Sequence, residues 1–208
     1  LRSPEDPDLG ARLPGCQPVT QIQTGSLWSI AGVERDGPVL VFQVYSRQIG
    51  QLPDFEFTAQ SGGMFGRREM RGKVNIVDFI FTRCKGPCPI MSGFMSELYQ
   101  LYGGTDSVQF VSITVDPSYD SLKVLQAYAE SHGVKDSRWV FLWAPIDSVV
   151  QLSEQGFMLA ADDLPGSHTT KWVLVDKDAN IRGYYSGTDE ASIEVLKTHV
   201  ARLVKEMK

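Results

Sequence analysis

The stretch Val77-Asp78-Phe79-Ile80-Phe81-Thr82-Arg83-Cys84-Lys85-Gly86-Pro87-Cys88-Pro89 runs an apolar strand into a tight loop and then into a helix start. The apolar run that ends in it, Lys73 to Thr82, reads as a central strand covered on both faces of a sheet. Proline suits the first helical position, because its missing N–H would be unpaired there anyway, so a helix is expected from Pro89 with Cys88 at its N-cap. Gly86 and Pro87 let the loop fold back sharply, which brings two thiols within bonding reach of each other.

Around this segment, strand and helix patterns alternate. Pro89 to Tyr102 carries Ile90, Met91, Phe94, Met95, Leu98 and Leu101 at helical spacing. Val108 to Val115 reads as a strand, Ser121 to His132 as a helix ended by Gly133, Trp139 to Trp143 as a strand and Ile146 to Gln155 as a short helix. Lys171 to Asp176 and Ile181 to Tyr185 form a hairpin, and Asp189 to Met207 is a closing helix with Ile193, Leu196, Val200 and Leu203 apolar. Upstream, Leu52 to Thr58 alternates like a strand, and Leu27 to Val33 and Val39 to Tyr45 flank Asp36-Gly37, a hairpin signal. This order predicts an α/β sandwich around a mixed sheet. Three parts are expected: a leader at 1–25, an N-terminal hairpin extension at 26–51 and one α/β domain at 52–208.

The 208 residues, 42% hydrophobic and 22% charged, suffice for one well-packed core. A net charge of −5 offers no basic field for nucleic acid. No apolar run approaches the ~18 residues that cross a bilayer. The chain begins at Leu1 rather than Met, so an upstream segment is expected to have been removed, by processing or by the choice of expressed segment, and the lack of a leader or membrane anchor carries no information. Leu13-Pro14-Gly15-Cys16 lacks the apolar region that precedes a lipoprotein cleavage site, and Cys16 reads as an incidental thiol in a mobile tail.

Cys84 and Cys88 suit two kinds of chemistry. They can cycle between dithiol and disulfide, or grip a soft ion such as Cu(I) through two thiolates. The helix start, with Arg83 and Lys85 nearby, is expected to pull a thiolate pKa below the ordinary ~8.5. The plain alternative is a structural pair. A metal that also visits Cu(II) needs a further ligand that supplies nitrogen. Of the three histidines, His132 reads as an exposed helix end and His199 as a surface or half-buried helix residue. His168 lies in a loop just before an apolar strand, where sites are built, although a lone histidine is usually structural. Met91 and Met95 read as core, Arg67 to Arg71 as a solvated basic turn, and Asp116 as a residue shaping the end of a strand.

These segments taken together resemble the Sco/SenC family of copper-binding, thioredoxin-like proteins that assist cytochrome c oxidase assembly. The resemblance is carried by Asp54-Phe55-Glu56-Phe57, by Gly72-Lys73-Val74, by the strand ending at Cys84, and by the Cys-x-x-x-Cys-Pro motif at Cys84, Cys88 and Pro89. Ser112 to Asp120 and His168 to Asp176, leading into Ile181 to Tyr185, complete it. It implies a thioredoxin-like core with an added N-terminal hairpin. It implies copper, as Cu(I) and Cu(II), held by Cys84, Cys88 and His168. The implied partners are the copper-site subunit of the oxidase or another cuproprotein, and a thiol-disulfide reductant. The implied location is extracytoplasmic, in the periplasm or the mitochondrial intermembrane space, with a membrane anchor allowed outside this chain. Many members carry an acidic residue directly before the histidine, where this chain has Ser167, with Asp162 and Asp163 nearby.

Four readings compete. A copper carrier uses all three residues. A thiol-disulfide oxidoreductase uses Cys84 and Cys88 as its redox pair on client cysteines. A peroxidase of the peroxiredoxin kind has the Thr82-Arg83-Cys84 run but lacks the expected proline. A zinc site of two cysteines, one histidine and water is the last.

Overall fold

The computed structural model describes residues 45–161, 164–166 and 168–207. The expected leader, Cys16 and the hairpin around Asp36-Gly37 lie outside them, as do Asp162, Asp163 and Ser167. The strands are β1 (Tyr45–Gln51), β2 (Glu56–Ala59), β3 (Met64–Gly66), β4 (Val74–Ile80), β5 (Val108–Thr114), β6 (Trp139–Trp143), β7 (Lys171–Val175) and β8 (Asn180–Ser186). The helices are α1 (Arg67–Met70), α2 (Cys88–Leu101), α3 (Leu122–Ser131), α4 (Ile146–Gln151) and α5 (Glu190–Glu206). All eight strands join one mixed sheet in the order β1-β8-β7-β4-β5-β6-β2-β3. The central strands β4, β5 and β6 run parallel, and every other pairing is antiparallel. This is the α/β, thioredoxin-like architecture expected from the sequence.

Every residue of β4 and β5 is buried, because parallel strands carry helices on both faces. Val77 and Phe79 join a core with Leu52, Phe57, Phe65, Met70, Val149, Leu152 and Phe157 on one face. Val74, Ile76 and Ile80 join the other, with Met91, Met95 and Leu98 of α2, Leu125 of α3 and Leu196 and Val200 of α5. Helix α3 starts where the Ser121 hydroxyl accepts from Val124 N–H, and α5 where the Asp189 carboxylate accepts from Ser192 N–H at 3.0 Å.

Some local expectations are corrected. Ile90 and Leu101 are more than half exposed, because the buried face of α2 is narrower than its apolar pattern. The strand expected from Leu52 begins only at Glu56, and the helix from Ile146 turns into a π-helical segment, Leu152–Gly156. The Arg67 to Arg71 turn contains a short helix whose Arg67 donates to the Leu52 carbonyl at 2.8 Å and pairs with Asp54. Beside it, Gly66 pairs with Glu56 across β2 and β3. A Cβ on Gly66 would lie 2.1 Å from the Phe55 carbonyl oxygen, so backbone would have to move. Gly66→Ala is therefore expected to lower stability by about 1–3 kcal/mol, the range for forced overpacking. A urea unfolding midpoint equal to that of the unsubstituted chain would show that β3 yields freely.

Candidate metal centre

The sheet order creates the site. Strand β4 ends at Ile80 and delivers the loop of Cys84 and Cys88. Strand β7 runs antiparallel beside it, in the register Asn75↔Val175 and Val77↔Val173. The residues just before β7 therefore arrive where β4 ends, and His168 is among them. Cys84, Cys88 and His168 each offer a ligand atom, and these atoms all lie within 4.8 Å of one another. Among the described residues, this is the one such group of cysteine, histidine or carboxylate side chains. The other histidines lie elsewhere. His132 is half-buried rather than exposed, with its ring 4.5 Å from that of Tyr128. His199 Nδ1 is 2.7 Å from the Tyr185 hydroxyl.

His168 is held in a definite tautomer. Its Nδ1 lies 3.0 Å from the Thr169 carbonyl oxygen, which can only accept, so Nδ1 carries the proton. The lone pair is then on Nε2, which sits 3.3 Å from Cys88 Sγ. Phe81 meets the imidazole edge to face, with centroids 5.3 Å apart. Burial pushes the His168 pKa below its ordinary value, against backbone contacts with Thr169 and Phe79 that raise it. A neutral imidazole aimed at two thiols is the form that binds a metal.

The two cysteines differ. Cys84 is half-buried in the loop, and its Sγ accepts from Gly86 N–H at 3.4 Å. Cys88 is 1% exposed. The N-cap of α2 is Pro87, so Cys88 takes the first helical position and Pro89 the second. Position 88 shares a helix face with Met91 and Met95, which are buried under the sheet. Burial therefore pushes the Cys88 thiol up to about 12, where the sequence suggests a lowered value. A hydrogen bond from the Phe81 backbone pulls it down, and the neighbouring Cys84 thiol and Asp78 carboxyl push it further up. The desolvation of Cys88 outweighs the helix-start field. Of the two basic neighbours, Arg83 is engaged at 2.8 Å by Asp116, and Lys85 is exposed.

Asp78 lies on β4, opposite Ser112 of β5, on the face covered by α2 and α3. It is 1% exposed, and neither carboxylate oxygen has a hydrogen-bond partner of ordinary geometry. Burial pushes this carboxyl up to about 7, against weaker pulls from the Ser112 hydroxyl and its own backbone N–H. The signal was present in the sequence: Asp78 is the one acid inside a run read as covered on both faces.

The donor set is chemically selective. Two thiols and one imidazole suit copper or zinc and not magnesium or calcium, which take oxygen ligands. Three ligands leave a coordination position open.

Comparison with known proteins bears on the family and the fold. A family profile described as SCO1/SenC matches residues 46–205. A SCO1/SenC family lipoprotein from Bacillus anthracis has the same fold with a TM-score of 0.70 at 29% identity, covering 76% of this chain and 98% of that one. BsSco, described as a member of the Sco family of cytochrome c oxidase assembly proteins with a disulfide switch, superposes with a TM-score of 0.67 at 23% identity over 75% of this chain and 95% of its own. ScoI of Bradyrhizobium japonicum, solved with copper bound, gives a TM-score of 0.59 at 22% identity over 71% of this chain and 98% of that one.

Proposed function

The chain belongs to the SCO1/SenC family, and on that premise we propose that it is a copper carrier for the maturation of the cytochrome c oxidase copper site. The observation that supports this is the cluster of Cys84, Cys88 and His168, whose ligand atoms all lie within 4.8 Å of one another, with His168 Nε2 3.3 Å from Cys88 Sγ. Copper is the cargo. Two thiolates satisfy Cu(I), and the imidazole nitrogen extends the set to Cu(II). The Thr169 carbonyl fixes the tautomer of the imidazole and aims Nε2 at the thiols. Because Cys88 is a buried neutral thiol, capture of the ion displaces its proton. The open side of the site belongs to the recipient, the copper-site subunit of the oxidase or another cuproprotein. An extracytoplasmic location fits this role and is supported by the lipoprotein relative. Among the described residues, no helix is long and apolar enough to cross a membrane.

Anaerobic titration of the reduced protein with Cu(I), and of a separate sample with Cu(II), tests the proposal. The expected result is one equivalent of each, with thiolate-to-Cu(II) charge-transfer bands that disappear in Cys84→Ser. Folded protein that takes up no copper would refute it.

The same pair supports a second reading, a thiol-disulfide oxidoreductase, because both cysteines are free and near each other. In that chemistry the Cys84 thiolate attacks a client disulfide, and Cys88 then displaces the client thiolate. Two electrons leave the pair, which becomes a disulfide, and the client gains two thiols. A Cys84–Cys88 potential too low to reduce any client disulfide would eliminate this reading.

A further inference from the structure

The residues just before Cys84 are tied to the turn between β5 and α3 by two carboxylates. Asp120 is fully buried. Its carboxylate accepts from the Thr82 hydroxyl, from Thr82 N–H at 3.2 Å and from the Thr114 hydroxyl at 2.6 Å. Asp116 accepts from Arg83 Nε at 2.8 Å, and the Arg83 guanidinium lies 4.8 Å from the centre of the Tyr119 ring. Thr114 Oγ1 also accepts from Asp116 N–H at 3.0 Å, which joins the two carboxylates into one network. Bonds to an ionised carboxylate are about twice as strong as neutral ones. The two residues that lead into the first cysteine are therefore fixed from the turn that follows β5.

Resting on the site reading above, we propose that Asp120 is a positioning residue for the thiol pair. Through Thr82 it sets where Cys84 Sγ stands relative to Cys88 Sγ and His168 Nε2. The argument is geometric. Cys88 is fixed by the buried face of α2, and His168 by the Thr169 carbonyl and Phe81. Cys84 is held less directly: its backbone N–H donates to the Phe81 carbonyl at 3.2 Å across Thr82 and Arg83, and its half-buried thiol accepts from Gly86 N–H beside the Cys88 thiol. Its placement depends on Thr82 and Arg83, and thus on Asp120 with Asp116 in support. The bond to Phe81 closes a turn through Thr82 and Arg83, so the place of that turn follows theirs, and Gly86 and Pro87 only redirect the chain after Cys84.

Two variants test the proposal. Asp120→Asn keeps the shape but turns one acceptor into a donor. Thr82→Val is the gentler change: it removes the hydroxyl donor and leaves the Thr82 N–H bond to Asp120. Each is brought to equilibrium with glutathione redox buffer without metal, and its Cu(II) charge-transfer bands are recorded separately. The disulfide equilibrium constant is expected to fall about 10-fold in both, a shift of about 30 mV for this two-electron couple. The bands are expected to move as well. Thr82→Val carries the test if Asp120→Asn fails to fold. Folded variants with the disulfide constant and bands of the unsubstituted chain would overturn the proposal. Absence of copper bands in the unsubstituted chain would remove the copper reading alone. The metal-free disulfide equilibrium would then still support or overturn the positioning role.

Discussion

His168→Ala is expected to lower Cu(II) affinity by at least ~100-fold, because removal of groups that merely support a ligand already costs 10–100-fold. Cu(I) affinity should fall less than ~10-fold, since two thiolates remain and this soft ion accepts sulfur alone. The split between the two oxidation states is the informative quantity. Loss of packing would weaken both equally. The imidazole contributes its nitrogen where Cu(II) needs one, at Nε2, 3.3 Å from Cys88 Sγ. The ring is half-buried at the end of β4, and its contact with Phe81 is a single edge-to-face pair, so the variant should fold. Competition against chelators of known affinity, for each oxidation state, measures the split. Equal losses for Cu(I) and Cu(II), or an unchanged Cu(II) affinity, would take His168 out of the ligand set.

The fold was readable because its signals are local and agree with one another. The apolar run ending in Phe81, the helical spacing of Met91, Met95 and Leu98 and the hairpin around Asp178 each specify one element, and their order specifies the layers. The site was less readable, because its parts meet through pairing across the sheet. No periodicity distinguishes His168 from His132 or His199. What separates them is the antiparallel register of β7 on β4, and the family resemblance substituted for that knowledge. The acidity of Cys88 was misjudged for an instructive reason. A helix start lowers a thiol pKa only where the thiol stays hydrated, and Cys88 repeats with Met91 and Met95 on the buried face. That spacing was in the sequence, and it outweighs the dipole. Asp120 and Thr82 are 38 residues apart and carry no mutual signal, so their bond emerges only from the fold.

The second large effect concerns Asp78, and its sign can be worked out. The folded carboxyl is pushed up to about 7, whereas an unfolded aspartate titrates near its ordinary value, 3.8. Between these values the folded protein holds a proton that the unfolded chain has released. Raising the pH through this window therefore weakens the fold, by about 1.4 kcal/mol per unit. The stabilisation is fully present below the unfolded value and is lost as pH rises through about 7. Between pH 5 and pH 8 the loss should come to about 3 kcal/mol. His132, His168 and His199, all pushed down by burial, act in the opposite direction near neutrality, so the raw stability profile mixes both signs. Asp78→Asn separates them, because an amide has no proton to lose while the histidines remain. Burying an amide shifts the whole curve by a constant without changing its slope. The difference in unfolding free energy, variant minus unsubstituted chain, should thus move by about 3 kcal/mol in favour of the variant from pH 5 to pH 8. Urea unfolding of the reduced, metal-free protein at both pH values gives that difference directly. A difference that stays constant would mean that Asp78 titrates as it does in the unfolded chain, and that some group within reach compensates its charge.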